Sequence, residues 1–192
     1  MVYYIILKSV HHEKIFSEDG DYREYLNLMK TYALKYKLDL MGFLLLPTEV
    51  HLLLESENLD SDLLPFLHLL SFRYRAVLQD RPKVILIEKD PYLLELTCYL
   101  HLRPVAANLV RKPSDYRFSS YPIYIGKDSG LDIKVDSDCV LKNLSSSRQE
   151  SIALYRQLME SDCCGRIGAL KKRIKEDKSF FESKLFALRG VN

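Results

Sequence analysis

Residues 39–55 read DLMGFLLLPTEVHLLLE, two apolar runs that meet at Pro47. Both runs are rich in residues that suit strands, and the proline removes a ladder donor where a short turn would lie. The segment therefore predicts a β-hairpin. Residues two apart on a strand point to the same face, so Glu49 and His51 should converge on one spot. A carboxylate and an imidazole aimed together from an apolar strand indicate a candidate site.

The remaining pattern alternates strands with helices. Runs typical of strands lie at 2–9, 39–46, 49–55 and 81–89, and apolar residues repeat at helical spacing through 19–37, 60–79 and 90–104. We expect Asp19 or Asp21 to cap the first helix, and the third helix to close before Pro104. The order βαββαβα predicts an α+β fold, a ferredoxin-like sandwich with an antiparallel sheet.

The character of the chain changes after about residue 112. Turn formers and tyrosines crowd residues 112–130, and helical patterns follow at 136–145, 146–161 and, in a basic segment, 168–190. This change predicts a first domain followed by a helical C-terminal extension.

Composition narrows the class of protein. The chain has 192 residues, 47% of them hydrophobic and 28% charged, which is ordinary for a globular domain. No apolar run approaches the length of a membrane span, and the N-terminal apolar run is expected to be a strand rather than a signal peptide. The four cysteines form no CxxC pair, so we expect a reducing, cytoplasmic setting. The net charge of +2 means that any nucleic-acid surface must be local.

Three segments together indicate the class of protein more specifically than any one of them does alone. They read LPTEVHLLLE at 46–55, CYLHLRPVAANLV at 98–110 and KPSDYRFSSY at 112–121. With the first strand and helix before them, their order and spacing resemble those of the REP-associated tyrosine transposases. These belong to the single-tyrosine HUH transposases, which act on single-stranded DNA. The resemblance covers about residues 1–125 and implies a transposase-like, DNA-binding function. It also implies a transposase-like domain over residues 1–125 and a helical C-terminal extension over 126–192.

The resemblance also implies roles for four residues. In this family two histidines on the strand hold a divalent metal that polarises the phosphate. A tyrosine on the helix attacks the phosphate and becomes linked to the DNA 5′ end, and an asparagine four residues later completes the metal site. His51 stands at the second histidine and Tyr99 at the nucleophile. Glu49 replaces the first histidine, and Arg103 replaces the asparagine.

The two replacements differ in what they allow. Glutamate is still a metal-ligand type, whereas arginine stays protonated and offers no lone pair. Arg103 lies four residues after Tyr99 and so shares its helix face. If Arg103 points where the family's asparagine points, it should meet Glu49 in a salt bridge that replaces the metal. Such a site would still hold a DNA phosphate on Arg103, without a Lewis acid.

The candidates for DNA contact are Arg73, Arg75, Arg103, Lys171, Lys172 and Arg173. The first two flank Tyr74, and a mix of cation and aromatic suits single strands. The last three belong to a basic helical run, and such runs are usually a solvated face. Plain interpretations stay open for the site as well, with Tyr99 as a packing residue, His51 as a strand histidine and Glu49 as an edge charge.

Three functions compete. The first is a transposase-like protein that binds single-stranded or hairpin DNA and has an impaired metal site. The second is an active metal-dependent nuclease or transposase, with Tyr99 forming a 5′-phosphotyrosine. The third is a domain recruited to bind protein or RNA. We expect no cofactor in the first case, and Mg²⁺ or Mn²⁺ on His51 and Glu49 in the second. No membrane partner is expected, and a monomer and a homodimer both stay open.

Overall fold

The computed structural model describes residues 1–74, 78, 82–87 and 92–160. The strands are β1 (Val2–Lys8), β2 (Asp39–Leu46), β3 (Glu49–Glu55) and β4 (Lys83–Ile87). The helices are α1 (Asp19–Lys35), α2 (Leu64–Arg73), α3 (Tyr92–Ala106), α4 (Tyr121–Tyr124), α5 (Asp138–Leu141) and α6 (Arg148–Glu160). Among the helices in these ranges, none is long and apolar enough to cross a membrane. The predicted basic helix at 168–190 lies outside the described residues.

The four strands form one antiparallel sheet in the order β2-β3-β1-β4. The predicted α+β fold with an antiparallel sheet is therefore confirmed. The predicted hairpin is also present, because β2 pairs with β3 across the turn at Pro47 and Thr48. β1 lies in the middle of the sheet between β3 and β4. This position brings the ends of β1 and β3 together at the register pair Lys8 and Glu49.

Each face of the sheet is covered by its own helices, because alternate strand residues point to opposite sides. Tyr3, Ile5 and Leu7 pack in a core with α1 and α2. Tyr4 and Ile6 belong to a second core that includes residues of α3, α4, α5 and α6. Glu49 and His51 stand on this second face, since they pair in register with Lys8 and Ile6.

The chain after α3 covers the β2 edge of the sheet. The Phe118 carbonyl accepts a hydrogen bond from Leu45 N–H at 3.0 Å, and Ser120 N–H donates to the Phe43 carbonyl at 3.0 Å. The Tyr124 hydroxyl donates to the Met41 carbonyl at 2.6 Å, beside an irregularity in the β2–β3 register. These bonds satisfy backbone groups that an open edge would leave exposed.

Two predicted helix ends differ from the structure. The N-cap residue of α1 is Glu18 rather than Asp19 or Asp21. Asp21 instead lies in the first turn, where its carboxylate accepts the backbone N–H of Glu18 at 3.1 Å. α3 runs through Pro104 to Ala106 rather than closing before the proline. A proline in the last turn costs one backbone donor, and Asn108, two residues after the helix ends, has a left-handed φ of 56°.

Other helices are shorter than their sequence patterns suggest. α2 begins at Leu64, after a π-helical turn at Leu59–Leu63, and Pro65 lies in its first turn. The pattern at 136–145 forms only the short helix α5. The predicted division into 1–125 and 126–192 stays a prediction, although α5 and α6 contribute to the same core as α3.

Candidate functional site

The candidate site lies where β1 and β3 meet α3. Lys8 is directly opposite Glu49 in the β1–β3 pair, and Ile6 is opposite His51. Paired residues of antiparallel strands share a face, so Lys8, Glu49 and His51 point to the same side. α3 crosses this face and brings Tyr99 and Arg103. The pairing register and the four-residue helix spacing therefore assemble the site from distant parts of the sequence.

A buried hydrogen-bond chain fixes the imidazole of His51. The Tyr4 hydroxyl lies 2.8 Å from His51 Nδ1, and His51 Nε2 lies 3.0 Å from Glu49 Oε2. Burial lowers the pKa of His51 and outweighs the opposing effect of Glu49, so the ring is neutral. An ionised carboxylate only accepts, so Nε2 carries the ring hydrogen and Nδ1 accepts from Tyr4. Both ring nitrogens of His51 are thus engaged.

Glu49 is held by cations on both of its oxygens. Arg103 Nη2 donates a hydrogen bond to Oε2, and Lys8 Nζ lies 3.2 Å from Oε1. Burial would raise the pKa of Glu49, but the His51 hydrogen bond and the charges of Arg103 and Lys8 lower it well below its usual range. The carboxylate is therefore ionised throughout the neutral range. The predicted contact between Glu49 and Arg103 is present, and its role in replacing a metal stays a prediction.

Arg103 joins the carboxylate to the candidate nucleophile. Its guanidinium carbon lies 5.9 Å from the centre of the Tyr99 ring, in cation–π contact. Its Nε is buried and has no hydrogen-bond partner within the described part of the chain. Burial raises the pKa of Tyr99, and the opposing charge of Arg103 does not reverse the effect. A phenol with a raised pKa is a poor nucleophile unless another group activates it.

Of the other predicted DNA-contact residues, only Arg73 lies within the described part of the chain, and it does not join this site. Arg73 lies on α2, on the opposite face of the sheet, where its guanidinium Nη2 is 2.9 Å from Glu24 Oε1. That pair is exposed on both sides. The remaining candidates lie outside the described residues: Arg75, Lys171, Lys172 and Arg173.

Sequence reasoning missed two members of the site, Tyr4 and Lys8. Both lie on the same face of β1 as Ile6, at the period of two that the strand prediction already contained. What the sequence lacked was the pairing register, which sets Lys8 against Glu49. Once β1 is placed beside β3, the same alternation identifies both residues.

A second buried cluster lies behind α3 and was also missed. His101 Nδ1 lies 2.7 Å from the Tyr155 hydroxyl, and Nε2 lies 2.8 Å from Ser120 Oγ. The rings of Tyr121 and Tyr124 contact the imidazole edge-to-face. Burial lowers the pKa of His101 to about 3. The cluster ties α6 and the segment before α4 to the helix that carries Tyr99 and Arg103.

Few side chains here suit a metal ion. Glu49 and His51 are the metal-ligand types at the site, and Arg103 occupies the position of the third ligand implied by the resemblance. Among the described residues, no group of three or more His, Cys, Asp or Glu side chains is placed to hold a metal. The arrangement instead presents fixed cations beside one carboxylate.

Comparison with solved structures identifies the fold. A REP-associated tyrosine transposase bound to a REP hairpin superposes with a TM-score of 0.59 at 14% identity, covering 71% of this chain and 86% of that one. A transposase-annotated protein from Deinococcus radiodurans R1 covers 46% of this chain and 80% of its own, with a TM-score of 0.37 and 18% identity. No family model and no curated protein match the sequence. The chain therefore has the fold of a REP-associated tyrosine transposase, as its sequence motifs predict.

Proposed function

We propose that this protein is a transposase-like protein that binds single-stranded or hairpin DNA and uses an ion pair where its relatives use a metal. The observation that carries the proposal is the contact of Arg103 with Glu49. These two residues stand at the positions that the motif resemblance assigns to metal ligands. A fixed guanidinium at that point supplies positive charge for a phosphate without a bound ion.

The donor set does not fit a divalent cation. Both nitrogens of His51 are engaged, one with Tyr4 and one with Glu49. The two oxygens of Glu49 face Arg103 and Lys8. A metal would therefore have to displace two cations and break a buried hydrogen bond, and it would gain only two protein ligands. Divalent first-row metals are normally held by three or more protein ligands of the right type.

DNA as the partner is supported by the fold and by the charge at the site. The solved structure with the same fold was determined with a REP hairpin bound. Phosphate contacts supply most of the affinity of proteins for nucleic acids, and arginine forms them with good geometry. Arg103 is partly accessible, with 18% of its side chain exposed. It contacts Glu49 on the sheet and the ring of Tyr99 on α3.

Strand cleavage by Tyr99 is not part of the proposal. A phenolic oxygen needs a base, a metal or a lowered pKa to attack a phosphate. The pKa of Tyr99 is raised by burial, and Arg103 gives its Nη2 to Glu49. The site therefore supports binding of a phosphate better than its activation.

The test is a fluorescence anisotropy titration of a hairpin DNA with a single-stranded tail, in EDTA, at ~50 and ~200 mM salt. We expect binding that needs no metal and weakens steeply with salt, and an Arg103→Gln protein that binds more weakly. Absence of binding in EDTA at both salts would contradict the proposal. If Mn²⁺ then yields cleaved DNA attached to Tyr99, the active transposase is correct, and if no condition gives DNA binding, the recruited-domain hypothesis is favoured.

A further inference from the structure

Two cations flank one carboxylate at the candidate site, and this leaves an excess of positive charge. Lys8 lies against Oε1 of Glu49, and Arg103 lies against Oε2. Among the described side chains in direct contact here, two cations therefore face one carboxylate, and one positive charge is uncompensated. Such an excess at a partly dry site attracts an anion.

Lys8 also keeps donors for a ligand. An ammonium group carries three N–H bonds, and contact with one carboxylate oxygen occupies at most one of them. The Lys8 side chain is 52% exposed, whereas the Glu49 side chain is only 18% exposed. The carboxylate therefore anchors the ammonium from the protein side, and the solvent side stays open. This differs from a free surface lysine, whose position is not fixed by a partner.

The two cations come from different elements. Lys8 ends β1, and Arg103 lies near the end of α3, and both are held by the same carboxylate. Glu49 therefore acts as a spacer that sets their separation. A phosphate group has several oxygens that can accept hydrogen bonds from two such donors at once.

The geometry points to a phosphate-binding subsite formed by Lys8 and Arg103, with Glu49 as the residue that positions them. The inference rests on the proposed function and adds Lys8 as a second phosphate ligand. The ligand is a phosphate group, which a polynucleotide or free inorganic phosphate can supply. The subsite needs no metal, because both of its charges belong to the protein.

The experiment compares the parent with Lys8→Met, Lys8→Arg and Lys35→Met in the full-length protein. Lys35 is an exposed lysine of α1, which packs on the opposite face of the sheet, and serves as the control. In the tailed-hairpin titration, Lys8→Met should weaken binding roughly fivefold and lower the slope of log K against log salt by about 0.7–0.9. Lys8→Arg should restore the slope, and Lys35→Met should match the parent.

A second arm uses inorganic phosphate alone. Ligands that bind the folded state raise the melting temperature, and the general salting effect of phosphate acts on every variant equally. At matched ionic strength with chloride as reference, phosphate should therefore raise the melting temperature of the parent and Lys35→Met more than that of Lys8→Met. Lys8→Arg should regain the larger shift.

The two arms separate this inference from the proposed function. If the parent binds DNA and Lys8→Met binds as well with the same salt slope, the subsite is wrong and the proposed function stands. If the parent binds no DNA but phosphate stabilisation depends on Lys8, the subsite stands and the proposed function fails. If the parent binds no DNA and phosphate affects all variants equally, both are wrong.

Discussion

Glu49 contacts Lys8, His51 and Arg103, and the free-energy cost of burying its charge explains why these partners matter. A carboxylate taken largely out of water loses hydration that only close cations and donors can restore. Glu49 has three such partners, on two strands and a helix: Lys8, His51 and Arg103. Removing one partner leaves the charge of Glu49 without full compensation. Removing Glu49 together with that partner also removes the free-energy cost of burying the charge.

The ion pair predicts a double-mutant cycle. Arg103→Met should lower the free energy of unfolding by about 1–3 kcal/mol, less than for a fully buried pair because solvent reaches both side chains. The double variant Arg103→Met with Glu49→Gln should recover most of that loss, because the amide oxygen still accepts from His51 Nε2. Urea denaturation of the parent, the two single variants and the double variant measures these free energies. If the losses of the two single variants simply add in the double variant, the two side chains do not stabilise each other.

The hydroxyl group of Tyr4 supplies a second prediction. Its hydroxyl lies on His51 Nδ1, so Tyr4→Phe leaves a buried nitrogen without a donor. We expect a loss of about 1–3 kcal/mol in the free energy of unfolding. Tyr25→Phe is the matched control, because the Tyr25 hydroxyl is buried without a partner among the described residues. The control should change the free energy of unfolding little or raise it, and a similar loss in both variants would contradict the role of Tyr4.

At the scale of the element, α3 carries the site on one side and its anchor on the other. On the side that faces the sheet, Arg103 contacts Glu49 and the ring of Tyr99. On the other side, His101 contacts Ser120 and Tyr155. The helix is thus fixed by the segment before α4 and by α6. Because α3 continues through Pro104 to Ala106, Arg103 lies inside the helix rather than at its end.

His101 predicts a pH dependence of stability. In the folded state burial lowers its pKa to about 3, and in the unfolded chain the value is about 6.5. The unfolded state therefore binds the extra proton first, so stability is full above pH ~6.5 and falls as the pH decreases, by about 1.4 kcal/mol per pH unit for one histidine. His101→Gln should remove this part of the slope between pH ~6.5 and ~4.

The control for that measurement is His68→Gln, at an exposed position of α2. In urea denaturation across the pH series, the free energy of unfolding of this variant should depend on pH with the same slope as that of the parent. A slope in His101→Gln equal to that of the parent would show that His101 is not held neutral in the folded protein.

At the scale of the whole molecule, the sheet separates two cores, and the C-terminal helices fill one of them. Val140, Leu141, Tyr155 and Met159 are at most 1% exposed and belong to the core that includes Tyr4 and Leu53. α5 and α6 therefore support the face on which the site lies.

Truncation tests how separable the two predicted units are. A chain that ends at residue 125 would lose the four buried apolar side chains of α5 and α6. At about 1.5–3 kcal/mol each, the loss approaches the whole stability of a typical domain. We expect the 1–125 fragment to show no cooperative unfolding by circular dichroism. A fragment that unfolds as cooperatively as the full chain would support the boundary at residue 125.

The sequence predicted the sheet well because its signals are local. The hairpin around Pro47 and the β-branched and aromatic residues of β1 indicate the strand positions from local sequence alone. The contact of Arg103 with Glu49 was also predictable, but only because a motif resemblance related two distant segments. Tyr4, Lys8 and the His101 cluster were not, since each depends on pairing register or on helix packing that no local pattern records.

The central claim is that Arg103 takes the place of a metal, and a calorimetric titration of Mn²⁺ tests it most directly. The parent should show no saturable binding, and Arg103→Asn should bind Mn²⁺, because the asparagine frees Glu49 and adds an amide oxygen. Adding His51→Ala to that variant should abolish the binding. If instead the parent binds Mn²⁺ and His51→Ala alone abolishes it, the site is a metal centre and the account is wrong.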